Sequence, residues 1–390
     1  MATFPSPATP PPLSLYIHIP WCVRKCPYCD FNSHPLNGKT LPEKEYLAAL
    51  LRDLENNATI LRHRPLHSIF IGGGTPSLLT PSSIGVLIDA IAQHGALAND
   101  IEITLEANPS AVEHGLFSAY RSAGVNRLSL GIQSLDDTKL TTLGRIHNAK
   151  EAREAIRAAQ KSFTNINLDF MFALPGQNQI KLQQELEQAI AFQVPHLSWY
   201  QLTLEPNTVF AHTPPRDLPD EDAVADMQEQ VAMSLAKAGY QRYEVSAYAQ
   251  SRKQCRHNFN YWQFGDYLAL GAGAHSKVSY SDRMGRTIRY PHPQQYMDAL
   301  AHHQSPLLET CNITNDEVGF EFMLNALRLR KGVAAELFTE RTGLSLDVIA
   351  APLTRARQQG LLHHDTARIA ATEKGYRFLN EILSLFLNEP

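Results

Sequence analysis

The chain has 390 residues, 44% of them hydrophobic and 19% charged, and a formal net charge of −4. That length exceeds one ordinary core and predicts two domains, and the composition is globular rather than disordered. With 35 Lys and Arg against 39 Asp and Glu, no basic excess is present to hold a polyanion, which argues against a nucleic-acid partner.

The first twelve residues are rich in Pro, Ala and Thr and lack basic and apolar signal regions, so they read as a disordered lead-in rather than a secretory signal. No apolar run reaches the roughly 18 residues of a membrane span. Short β-branched runs follow at Ser14–Ile19, Ser68–Ile71, Ile101–Ala107, Arg127–Gln133, Asn165–Ala173 and His196–Leu204. Between them, helical periodicity covers Glu43–Leu61, Ile84–Gln93, Val112–Ala123, Lys150–Ala159, Leu182–Phe192 and Asp222–Ala238. Strand and helix alternate six times, which predicts right-handed βαβ units and a parallel sheet. Periodicity alone leaves open whether the sheet is a partial barrel or an open doubly wound sheet. In either case the chemistry belongs at the C-terminal strand ends.

Past residue 240 the pattern changes. Residues 240–305 are rich in Tyr, His and Gly and read as an extension of the first domain. Helical runs at Thr314–Arg330 and Leu344–Gln359, a hairpin from Gly360 to Ala371 and a last helix over Thr372–Phe386 predict a helical, winged-helix-like module over 306–390.

Of five cysteines, Cys22, Cys26 and Cys29 are bunched as C-x3-C-x2-C after the first strand, while Cys255 and Cys311 stand apart. An odd, uneven set is a poor disulfide framework and fits a reducing cytoplasm. Three thiolates on one loop suit an iron–sulfur cluster with one iron left open to an outside ligand, since electron-transfer clusters and structural zinc sites want four ligands. His18 and His34 are close enough in sequence to complete a Cys3His zinc site instead.

The second strand ends in Gly72-Gly73-Gly74-Thr75-Pro76, where backbone groups can approach a ligand with no Cβ in the way. No Gly-Lys-Ser/Thr follows, so it is not a P-loop. Glu106, Gln133 and Asp169 lie at or near later strand ends, and Arg145 follows in Leu-Gly-Arg-Ile-His. The cysteine spacing with an aromatic residue before the last Cys resembles the radical SAM signature. The order GGGTP, E-x-NP, S-x-G-x-Q-S, L-G-R-x-H and D-x4-LPGQ resembles the coproporphyrinogen dehydrogenase-like family within it. The resemblance runs from about Ser14 to Phe386. It implies an α/β fold, a partial (β/α)6 barrel over 13–239 followed by the helical C-terminal domain. It also implies a [4Fe–4S] cluster on the three cysteines, with S-adenosylmethionine (SAM) on its open iron. Tyr16, Tyr28, Gly73, Gly74, Thr75, Glu106, Gln133, Arg145 and Asp169 would be the SAM contacts, some of them serving a second SAM.

Two features separate the branches of that family. The dehydrogenase carries a further cysteine two places after the third, where this chain has Phe31, and it has a longer N-terminal extension. A heme-chaperone branch lacks that cysteine and carries an H-N-x-x-Y-W motif, which His257-Asn258-Phe259-Asn260-Tyr261-Trp262 resembles. That branch implies heme as cargo and apo-hemoproteins such as respiratory enzymes as acceptors, with His257 a candidate iron ligand and Cys255 its rival. It leaves room for a homodimer, with cluster and SAM acting in dimerisation or gating, and for a peripheral membrane encounter. The other branch implies an enzyme that oxidatively decarboxylates coproporphyrinogen III to protoporphyrinogen IX.

Overall fold

The computed structural model describes residues 7, 9–110 and 115–387. Its centre is a 12-stranded sheet. In chain order the strands are β1 Leu13–Ile19, β2 Leu66–Gly73, β3 Leu97–Ala107, β4 Arg127–Gln133, β5 Ile166–Phe172, β6 His196–Gln201, β7 Gln241–Arg242, β8 Ala247–Ala249, β9 Asp266–Leu270, β10 His275–Ser279, β11 Met284–Arg289 and β12 Leu307–Asn312. Their spatial order is β12-β11-β10-β9-β1-β2-β3-β4-β5-β6-β8-β7, and the strands from β9 through β6 are parallel. Antiparallel strands finish both edges. Period-2 alternation assigns the two faces. On β1, Leu13, Leu15, Ile17 and Ile19 are buried toward the helices, while Ser14, Tyr16 and His18 face inward. In-register neighbours repeat this. Tyr16 lies beside Phe70, Phe70 beside Thr104, Glu106 beside Ser129, Ser129 beside Asn167, and Asp169 beside Ser198. The inner wall is therefore polar and the outer wall apolar.

The outer layer is α1 Glu43–Asn56, α2 Pro81–His94, α3 Phe117–Ser122, α4 Ala149–Ser162, α5 Gln179–Ala191 and α6 Glu221–Lys237. Caps explain several starts: Thr80 accepts from Ser83 N ahead of Pro81, Asn148 and Glu151 form a capping box, and Asp220 caps α6. The first helix stops earlier than its periodicity predicts. Asn57 Nδ2 donates to Asp53 O at 2.7 Å, and a short separate helix resumes at Ala58–Arg62. Part of the helix expected over Val112–Ala123 lies outside the described residues, as does most of the expected lead-in over 1–12. Pro11 and Pro12 are instead tied down, their carbonyls accepting from Arg64 and from Asp266 N.

The extension holds α7 Arg256–Trp262 and α8 Pro293–Ala301. It reaches both sheet edges, because β8 joins β6 while β9 returns to β1. Leu307–Asn312, read as the start of the C-terminal module, pairs with β11 as the last strand of the sheet. The module itself comprises α9 Asn315–Ala326, α10 Glu336–Thr342, α11 Ala350–Gln358, α12 Glu373–Arg377 and α13 Leu379–Ser384. Helix α10 was not visible in the periodicity, and it ends at Gly343 with φ +73°. The expected hairpin pairs with itself at its base, where His363 N donates to Ala370 O at 3.0 Å and Thr372 N to Leu361 O at 2.9 Å. There Leu362 bridges Ala371, while Arg368–Ile369 pairs with Val333–Ala334. A second core holds the module together and takes in Phe264 and Met284 from the extension.

Candidate active-site cavity

The cysteine loop leaves β1 at the C-terminal rim. Trp21–Cys22 and His34–Pro35 form a short parallel ladder that closes its base. Inside it, Cys29 N donates to Cys26 O at 3.1 Å in a tight turn. The three cysteines and Ser33 line one cavity of about 360 Å³. The glycine run forms its floor. Gly73 has φ +121°, and an added Cβ would lie 2.7 Å from Ile19 O; at Gly74 it would lie 2.4 Å from Trp21 O. Only glycine lets the end of β2 lie flat against the cysteine loop.

The other expected residues meet at this cavity. Glu106 Oε2 accepts from Gly73 N at 3.1 Å. Arg145 donates through Nη2 to Asn108 Oδ1 at 2.6 Å and Gly131 O at 2.9 Å, and through Nη1 to Cys26 Sγ at 3.6 Å. Thr75 Oγ1 accepts from Asn108 Nδ2 at 3.0 Å. Gln133, held at φ +65°, accepts from Tyr200 OH. Asp169 accepts from Ser129 Oγ at 2.9 Å and Asn167 Nδ2 at 2.8 Å. Tyr28 lines the same wall. Tyr16 does not. It lies one layer deeper, hydrogen-bonded to His18 Nδ1 at 3.0 Å and packed on Phe70 beneath Gly72. Asn108, Ser129 and Tyr200 were not singled out in the sequence, although Asn108 and Ser129 stand inside the E-x-NP and S-x-G-x-Q-S motifs. Tyr200 could have been found from its place near the end of β6.

Burial and the neighbouring Asp169 push the Glu106 carboxyl up to about 8. Burial also raises Asp169, against the hydrogen bonds it accepts. Arg145 stays firmly charged, since Tyr28 and Cys26 outweigh the effect of its burial. The cavity thus offers carboxyl groups, a fixed guanidinium and open backbone groups to a zwitterionic, hydroxyl-bearing ligand.

The donor set fits an iron–sulfur cluster better than zinc. Its three thiolates on one loop are soft ligands of the kind such clusters take. His18 has both ring nitrogens engaged, by Tyr16 OH and by Asn32 O at 2.7 Å. His34 Nε2 is held by Asn32 Oδ1 and Pro291 O, both at 3.2 Å. His18 therefore has no free nitrogen for a Cys3His set.

His257 is not presented as an iron ligand. It is buried in the barrel interior, with Nδ1 3.0 Å from Ser68 Oγ and Nε2 3.1 Å from Tyr261 OH. Burial and the Arg127 charge lower its pKa to about 3. Cys255 is equally enclosed, its Sγ 3.6 Å from Glu102 Oε1. The motif helix α7 turns these two residues inward because Ser14, Ser68 and Glu102 on the inner wall supply their polar partners and those of Asn260.

A cysteine loop over the first strand and a glycine floor on the second, at the C-terminal rim of a parallel barrel sheet, define a radical SAM protein. The model of the radical SAM superfamily matches residues 16–189, and that of the HemN C-terminal domain matches 313–378. The chain is 48% identical to the heme chaperone HemW of Haemophilus influenzae, over 97% of this chain and 99% of that one. It is 34% identical to the protein of the same name from Bacillus subtilis, over 96% and 99%. The chain belongs to the HemW family. Coproporphyrinogen III oxidase (HemN) of Escherichia coli shares the fold, with TM-score 0.81 at 22% identity, covering 99% of this chain and 91% of that one.

Proposed function

We infer that this protein is a heme chaperone that binds heme and passes it to apo-hemoproteins such as respiratory enzymes. The observation that carries this reading is the full-length likeness to relatives named as heme chaperones. Phe31 supports it: exposed at the cavity mouth, it stands where the dehydrogenase branch has a further cysteine. Cys22, Cys26 and Cys29 would hold a [4Fe–4S] cluster, which when bound to SAM supplies one-electron chemistry. The chain's own part is binding and orientation. Gly73, Gly74 and Thr75 keep the floor open, Glu106, Gln133 and Asp169 accept from ligand N–H and O–H groups, and Arg145 holds the cysteine loop to the rim.

A second reading is coproporphyrinogen III dehydrogenation, favoured by the HemN-type C-terminal domain. Anaerobic protein with reconstituted cluster, SAM and coproporphyrinogen III separates the two. The expected result is hemin binding and delivery to an apo-hemoprotein without porphyrinogen turnover. Robust protoporphyrinogen formation with release of methionine overturns the chaperone reading.

A further inference from the structure

A second cavity, of about 570 Å³, opens between the sheet extension and the C-terminal module. It lies at the end of the barrel away from the cysteines. Tyr243, on its wall, is hydrogen-bonded at 2.9 Å to His196, the first residue of β6. Its size is that of small-molecule and cofactor pockets, roughly 300–1,000 Å³. One wall comes from the motif helix. While α7 turns His257 inward, its Phe259 and the following Gln263 face this cavity. The facing wall is Leu329, Val333 and Leu337 of the module, so a flat apolar body would meet apolar and aromatic surface on both sides.

The rim carries charge. Lys331 and Arg368 both line the cavity, and Arg368 is anchored there by its bond to the backbone oxygen of Lys331. Arg242 stands at the same cavity, its guanidinium 5.0 Å from the Tyr376 ring. Glu336 and Glu340 are also present, but they are one turn apart on α10 and exposed, so they form one solvated edge. The lining has no His, Cys or Met to bind iron, and the hydroxyl of Tyr243 is already engaged by His196 Nε2 and Cys255 N.

We propose that this cavity is the porphyrin-binding site, taking a planar apolar macrocycle between Phe259 and Leu337 and pairing its two propionates with Lys331, Arg368 and Arg242. This rests on the heme-chaperone reading and gives it a place. The site recognises the macrocycle and its carboxylates, not the metal, so the iron keeps its strong axial ligand for the acceptor to supply.

The test is titration of the full-length protein with hemin and with metal-free protoporphyrin IX, for wild type and for Lys331→Glu, Leu337→Glu and His257→Gln. Lys331 is an exposed side chain, so its variant keeps the fold, which far-UV circular dichroism checks. Both porphyrins are expected to bind wild type comparably. Each of Lys331→Glu and Leu337→Glu is expected to weaken both about tenfold, the size of one lost charged or apolar contact. His257→Gln is expected to leave both unchanged. Hemin binding with unaltered affinity in the two cavity variants overturns this site while leaving the chaperone reading intact. So does binding of hemin but not of the metal-free porphyrin. Failure of wild type to bind either porphyrin sinks the chaperone reading and this site with it.

Discussion

At the scale of single residues, the cluster loop and Glu106 make separable predictions. Serine in place of Cys22, Cys26 or Cys29 removes one of the three thiolates on the loop. Anaerobically purified variants are expected to lose stoichiometric iron and sulfide. Stoichiometric zinc without sulfide in the wild type would contradict the cluster. The Glu106 carboxyl is raised from its ordinary 4.5 to about 8, by burial first and by Asp169 second. The folded protein therefore holds that proton more tightly than the unfolded chain does. Stability from this site is full below the ordinary value and is lost as pH rises through about 8. Glu106→Gln removes that loss. Without SAM, its melting temperature is expected to exceed that of wild type near about pH 9 and to converge with it near about pH 5. A difference that does not change with pH would show that Glu106 is ionised throughout. The same variant is expected to bind SAM more weakly, as equilibrium dialysis would read.

Among the elements, the joint between α1, β11 and α8 is a buried ion pair. Arg289 donates through Nε to Asp53 Oδ2 at 2.6 Å and through Nη2 to Oδ1 at 3.0 Å, and Tyr296 OH donates to Oδ2 at 2.8 Å. Asp53→Ala leaves the guanidinium buried without its counter-charge, which costs about 3–5 kcal/mol. Urea unfolding measures it, and a loss below about 1 kcal/mol would place that joint with exposed, weak pairs. This element-scale contact was invisible in sequence, since Asp53 and Arg289 lie 236 positions apart. Strands β1 to β6 and most of the helices flanking them were legible, because alternation and 3.6-residue periodicity are local, whereas β9 beside β1 was not read. Helix α10 was not, being a short helix supported by Phe338 in the module core. The expected hairpin closes only at its base, for a related reason. Arg368–Ile369 found its partner in Val333–Ala334, and no local pattern reports that choice.

For the molecule as a whole, two large cores divide the work, beside two small clusters among the described residues. One lies between the barrel sheet and its helices, and the other holds the C-terminal module against Phe264 and Met284. Phe322 packs edge-on to both Phe264 and Phe338 and is fully buried. Phe322→Ala is expected to cost about 3–5 kcal/mol and to loosen the module while the cysteine cavity stays formed. Urea unfolding followed by circular dichroism reads the loss, and the charge-transfer absorbance of the cluster in native buffer reads the cavity. Bleaching of that absorbance in native buffer would show that the module supports the cluster directly.

The chemistry of this protein was largely written in local sequence. The C-x3-C-x2-C spacing, the glycine run and the order of strand-end polar residues can be read without coordinates, because each depends on neighbours a few positions away. The tertiary structure decided which faces and partners those residues meet. It placed Tyr16 below the cavity rather than in its wall, and it brought Asn108, Ser129 and Tyr200 to the rim. It also returned β9 to the edge of β1, across more than half the chain. His257 shows the division most clearly. Its motif was evident in sequence, but only long-range pairing with Ser68 on β2 turned the imidazole into the barrel and left Phe259 facing the second cavity. A buried polar side chain goes where its hydrogen bonds can be satisfied, and those partners are set by the fold.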